Sequence, residues 1–159
     1  MTARDPAALE ALLGRDLRLD YRSSPGFYEN AELRDTLNAG LGQRDLAVAG
    51  GVDTLRQAIA NRLKTRRGEL TPLGHPDYGS RHHELIGEPN VERTRNLIKL
   101  YVLQALKQER RIERVLQASV QATHVPARDT VRIELSVQVI GQHLPLEIIV
   151  PFNLSGDTA

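Results

Sequence analysis

Two stretches near the C-terminal end alternate apolar and polar residues without a break. Val131, Ile133, Leu135, Val137 and Val139 alternate with Arg132, Glu134, Ser136 and Gln138, and Leu144, Leu146, Ile148, Val150 and Phe152 form a second set. A period of two marks a strand with one buried face, and a one-residue slip would turn the whole apolar set to water. A turn centred on Gly141 and Gln142 pairs 139 with 144, 137 with 146, 135 with 148, 133 with 150 and 131 with 152. Every pair is apolar on both sides, so the segment must be a hairpin with one dry face. Leu116, Ala118, Val120 and Ala122, alternating with Gln117, Ser119, Gln121 and Thr123, add a third strand. Pro145 and Pro151 share a parity. A loop over residues 140–143 turns both missing N–H groups outward and makes the last strand an edge.

Helices precede this sheet. Thr54 and Gln57 have the spacing of a capping box, and Leu55, Ile59 and Leu63 recur every four residues before Gly68. Residues 70–79 are dense in turn formers. Ser80 is placed to cap a short helix that ends at Gly87. Asn90 is placed to cap a longer one that runs to about Gln108, with Glu92 in its first turn. Leu97, Leu100 and Leu103 widen the apolar surface of that helix beyond one stripe, so it is expected to be covered on two sides.

The first fifty residues read differently. Asp5, Pro6 and Gly14 bracket a short helix, residues 17–21 and 46–48 alternate as short strands, and the stretch between them has little periodicity. The expected organisation is an N-terminal arm over 1–50, an α+β domain over 51–155 and a tail over 156–159. The fold class is α+β: amphipathic helices packed on a small antiparallel three-stranded meander, with the arm in front.

Composition narrows the chemistry. There is no Cys, which excludes a disulfide scaffold, a thiolate metal site and a cysteine nucleophile. Lys and Arg number 21 against 20 Asp and Glu, a balance that argues against nucleic-acid binding through bulk charge. No stretch approaches the apolar length of a membrane helix and the N-terminus does not read as a signal peptide, so a cytoplasmic location is the expectation. With no Trp, four Tyr and two Phe, an aromatic carbohydrate cleft is not expected.

Candidate site residues are few. His75 with His82 or His83 and Glu84 could be assembled on a metal, but no His-x-x-x-His or His-Glu-x-x-His spacing occurs, and turn histidines account for the count. Glu69 and Asp77 could serve as acid and base in glycoside hydrolysis, a muralytic alternative that needs one carboxyl in an apolar pocket. Helix caps and loop ion pairs are the commoner use of such acids. Arg62, Lys64, Arg66 and Arg67 cluster at a helix end, where cations are favoured without any ligand. Neither cofactor nor metal is expected. Glu109, Arg110 and Arg111 lie where the long helix yields to the first strand of the sheet. A Glu and an Arg fixed at such a corner can form a bidentate pair that sets the angle of a docking surface.

Three blocks in order carry a resemblance: residues 63–70 (Leu-Lys-Thr-Arg-Arg-Gly-Glu-Leu), 75–80 (His-Pro-Asp-Tyr-Gly-Ser) and 84–90 (Glu-Leu-Ile-Gly-Glu-Pro-Asn). With the closing Pro151-Phe152 they resemble the baseplate wedge family of contractile tails, over about residues 45–154. That family includes phage W-type and gene-25-product proteins, the wedge protein of type VI secretion, and equivalents in extracellular contractile injection systems. The long loop and the Gly50-Gly51 start are most similar to the injection-system branch. The family's Glu-Pro-Arg signature corresponds here to Glu109, Arg110 and Arg111, with Arg in place of the proline that would stop the helix. The resemblance implies a non-enzymatic part that resembles the interlocking domain of a sheath subunit. It further implies assembly in the cytoplasm into a particle baseplate of six copies. The implied partners are other wedge proteins, sheath subunits and the central spike or hub, with no nucleic acid and no membrane. Some members bear a lysozyme label, and no residue of this chain carries that activity over.

Overall fold

The computed structural model describes residues 6–23, 29–38, 40–123 and 129–155. The expected tail over 156–159, Asp5 as a helix cap and His124 lie outside them. The chain divides into two compact units, Met1–Gln57 and Ala58–Ala159.

The second unit holds a three-stranded antiparallel sheet. Its strands are β7 (Ile112–Ala122), β8 (Thr130–Val139) and β9 (Leu146–Asn153), with β8 in the centre. The hairpin register agrees with the alternation: Val131 faces Phe152, Ile133 Val150, Leu135 Ile148 and Val137 Leu146. The expected pair of Val139 with Leu144 does not form. Strand β9 begins at Leu146, Leu144 is 78% exposed, and Val139 faces Ile112 on β7 instead. A tight turn from Val139 to Gln142 uses the positive φ of Gly141, and the connection runs on to residue 145. Pro151 faces Arg132 within an unbroken ladder, which puts its missing N–H on the outer side of the edge strand.

Strand β7 departs further from simple alternation. Its register shifts twice, between Ile112 and Arg114 and between Val115 and Gln117. Each shift inserts one residue, bending the strand and reversing which parity faces the core. Val115 therefore faces Val137, while Leu116, read as a core residue from its parity, is 45% exposed.

Helix α3 (Glu92–Leu106) packs on β7 and on a 3₁₀ helix over Arg81–Leu85. Ile98, Val102 and Leu106 are buried, as are Val131 to Val139 on the inner face of β8 and Leu146, Ile148, Val150 and Phe152 of β9. Each such side chain contributes about 1.5–3 kcal/mol by leaving water. Leu100, on the opposite side of α3, is 47% exposed. Asn90 is not the cap: Val91 occupies that position, and Asn90 receives the Arg95 guanidinium through its backbone and side-chain oxygens at 3.1 and 2.9 Å. Ser80 does hold the N-cap position of the 3₁₀ helix, but its hydroxyl pairs with His82 Nδ1 at 2.8 Å and makes no capping bond to the backbone.

The first unit holds α1 (Pro6–Leu13) and six short strands: β1 (Arg15–Leu17), β2 (Leu19–Ser23), β3 (Glu29–Leu33), β4 (Asp35–Asn38), β5 (Gln43–Leu46) and β6 (Val48–Gly50). Only two strand-like pieces were expected there. The others lack alternation because their side chains are exposed on both faces, as the run of exposed residues over 31–37 shows. The strands pair as three two-stranded ribbons, β1 with β6, β2 with β3 and β4 with β5. They meet at a node where Arg18 N–H donates to Ala47 C=O at 2.8 Å, Ala47 N–H to Arg34 C=O at 2.8 Å and Arg34 N–H to Arg18 C=O at 2.9 Å.

Helix α2 (Val52–Lys64) begins before Thr54, so the capping box does not form. Gln57 turns its amide to the arm instead. Its Nε2 donates to Leu17 C=O at 2.7 Å and its Oε1 accepts from Leu19 N–H at 2.9 Å.

Candidate functional site

The corner between α3 and β7 is built from consecutive residues. After the helix ends, Glu109 N–H donates to Leu106 C=O at 3.0 Å and Ile112 N–H donates to Glu109 C=O at 3.1 Å. These turns reverse the chain without a proline, so Arg110 does not prolong the helix. Arg110 itself is exposed. Arg111 Nε and Nη2 grip the two Glu109 carboxylate oxygens at 2.7 and 2.8 Å, and Arg111 N–H adds a third contact at 3.2 Å. The fork geometry is that of a bidentate pair, which fixes orientation as well as charge. The backbone joins in, because Arg111 C=O accepts Ile140 N–H at 3.0 Å and ties the corner to the end of the hairpin.

Glu109 is 9% exposed. Burial works to raise its pKa, but the Arg111 side chain and N–H, with the charges of Arg111 and Arg62, outweigh it and hold the carboxyl below its usual value. Behind the pair, Arg62 of α2 donates to Gln108 Oε1 at 3.2 Å and lies 4.5 Å over the Tyr78 ring. The basic cluster is thus partly an internal brace. Arg67 continues it with an ion pair to Asp77 at 2.6 Å.

The loop bearing the second sequence block is locked by Gly79. Ser80 N–H donates to Thr65 C=O at 2.9 Å and Arg67 N–H to Ser80 C=O at 3.2 Å, a parallel bridge that brings two backbones together. Gly79 sits at φ +97°, and a Cβ there would lie 2.6 Å from the Thr65 oxygen. Only glycine fits.

Glu69 and Asp77, the pair considered for hydrolysis, have separate local tasks. Glu69 accepts Arg66 N–H at 2.9 Å, and Asp77, 71% exposed at its side chain, pairs with Arg67. Neither carboxyl sits in the apolar pocket that a raised pKa requires. The histidines considered for a metal are also occupied otherwise. His82 is buried between the His83 ring at 4.2 Å and the edge of Phe152 at 4.5 Å, and His83 Nε2 donates to Leu63 C=O at 2.8 Å. Among the described residues no group of three His, Asp or Glu is placed to hold a metal ion.

Sequence reading missed Gln57 because its partners lie some forty positions away. Arg62 carried no signal beyond its charge, whereas Gly79 was signalled by its place in the turn-rich block.

The family model for the baseplate wedge protein gp25 matches residues 49–143, which include α2, the locked loop, α3, the corner and most of the sheet. The chain belongs to this family. It is a structural component of a baseplate. Among solved structures, it is similar to a Geobacter sulfurreducens protein provisionally named a tail lysozyme, with 26% identity and a TM-score of 0.56 over 66% of this chain and 91% of that one. A chain from the baseplate complex of the type VI secretion system shares the fold, with a TM-score of 0.50 and 22% identity over 63% of this chain and 90% of its own. No curated protein matches. For this gp25-family chain the Glu109–Arg111 corner lies inside the matched region, and most of the ribbon arm lies outside it. No helix among the described residues is long and apolar enough to cross a membrane.

Proposed function

We propose that this baseplate wedge protein joins the other wedge components of a contractile injection system and starts the sheath. It would do so by exchanging strands with sheath subunits, with Glu109 and Arg111 setting the angle at which the sheet is presented. One observation carries the reading: a three-stranded sheet whose outer strands, β7 and β9, each pair only with β8 among the described residues. An unpaired edge offers main-chain donors and acceptors that a strand from another chain can complete, while alternate side chains supply selectivity. The bidentate corner lies where β7 leaves α3, so it governs how that edge is aimed.

Glu109→Ala or Arg111→Ala is expected to stop sheath growth while the purified protein keeps its folded circular dichroism spectrum. Sheaths of normal length on particles from such variants, seen by negative-stain microscopy, would overturn the role given to the corner.

A further inference from the structure

The ribbon node has three bends of one kind, at Arg18, Arg34 and Ala47. Each of these residues turns its N–H and C=O inward to the other two. In an antiparallel strand the next residues on either side must turn theirs outward. Each bend therefore presents one outward carbonyl and one outward amide, two residues apart. At Arg18 the pair is Leu17 C=O and Leu19 N–H, and the primary amide of Gln57 closes both bonds. At Arg34 the equivalent pair is Leu33 C=O with Asp35 N–H, and at Ala47 it is Leu46 C=O with Val48 N–H. No described residue bonds either of these pairs, and all four residues are exposed.

We propose that these two bends are docking positions for a Gln or Asn side chain carried among apolar residues on a segment of another protein. The chemistry follows from the bend that is already filled. A carboxamide offers one donor and one acceptor at the separation the bend requires, which neither a carboxylate nor an ammonium does. The surroundings are apolar: Leu37 and Leu46 share a face of the β4–β5 ladder, Leu33 and Val48 continue their alternation across the two bends, and the four are exposed by 68, 44, 53 and 46%. Charge on that face is already compensated, since Arg44 Nε pairs with Asp35 at 2.6 Å, so an uncharged segment suits it. The exposed aliphatic surface is on the order of 300–400 Å², within the range of the largest apolar patch on a monomer, which is often a functional one. It falls short of the ~800 Å² per partner of a free-standing dimer, so the occupant is a short segment held in place by other contacts. That another baseplate component supplies it rests on the function proposed above; the carboxamide selectivity does not.

The test uses the full chain, labelled with ¹⁵N, and a capped helical peptide with one Gln among leucines on a single face. Two control peptides replace that Gln by Glu or Met. Saturable shifts of the Asp35 and Val48 amides are expected with the Gln peptide, and binding at least tenfold weaker with both controls. Asp35→Pro and Val48→Pro each delete an outward N–H without touching a ladder bond, and each should weaken binding at its own bend at least tenfold, read from the neighbouring Thr36 or Ala49 amide. Gln57→Leu should add the Leu19 amide to the responding set. Equal binding by the Met peptide, no saturable shift at millimolar peptide, or indifference to both prolines would overturn the proposal. No particle is involved, so failure here is separate from failure of the sheath reading.

Discussion

Removing Arg111 tests the corner most directly. In Arg111→Ala, Glu109 loses two charge-assisted hydrogen bonds, at 2.7 and 2.8 Å, and keeps only the backbone contact at 3.2 Å. The carboxylate is 9% exposed and so has little access to replacement water. Breaking a buried ion pair costs about 3–5 kcal/mol. The Arg111 side chain is 25% exposed and the charge of Arg62 remains nearby, which lowers the expected loss to about 2–3 kcal/mol. With an m value of about 2 kcal/mol/M, the urea midpoint at pH 7 should fall by ~1–1.5 M. The loss should also depend on pH. In the parent, the Glu109 pKa is depressed, so its contribution is present above the unfolded value and fades as pH falls through the folded one. In the variant, burial is largely unopposed and the carboxyl takes up a proton more readily. The difference between the two proteins should therefore shrink between pH 7 and pH 4.5. Adding Glu109→Gln to Arg111→Ala should recover part of the loss at pH 7, because it removes the stranded charge. A single variant within 0.5 kcal/mol of the parent, or a gap that widens on acidification, would refute the reasoning.

Three further outcomes can be checked. Gly79→Ala should cost more than about 2 kcal/mol in urea unfolding, because left-handed strain adds to a backbone clash at 2.6 Å, the mark of a fixed loop. His82 is pushed down to about 3 by burial and then by the neighbouring His83 charge; its stabilising contribution is full above the unfolded pKa near 6.5 and declines below it. Stability should fall by about 2 kcal/mol from pH 7 to pH 5 on this account, and a slope unchanged in His82→Leu would refute that assignment. Glu69→Gln combined with Asp77→Asn should leave particle assembly intact, and loss of a measurable cell-wall-cleaving activity in that double variant would restore the muralytic alternative.

What the sequence displayed depended on how each element is buried. The β8–β9 register could be read residue by residue because one face is dry and the other wet, which turns burial into alternation. The corner was legible because Glu109 and Arg111 are close in the chain. Leu116 was misplaced because a bulge shifts parity without any marker residue. Thr54 and Asn90 had the chemistry of caps, yet the helices start elsewhere: Gln57 is drawn to the distant Leu17 and Leu19 backbone, and Asn90 is taken up by the local Arg95 guanidinium. The strand residues over 31–37 and 43–46 left no pattern, since strands wet on both faces impose none. Gln57 was invisible as a bridge because nothing local distinguishes a capping amide from one that reaches across forty residues.

The cyclic closure at Arg18, Arg34 and Ala47 separates the arm's root from its reach. Because the root closes through three main-chain bonds, with the Gln57 side chain bracing only the Arg18 bend, a limb can gain or lose matched rungs beyond it and leave the centre undisturbed. Insertions or deletions at the limb ends, made in paired steps that keep the rungs matched, are therefore expected to leave the node intact.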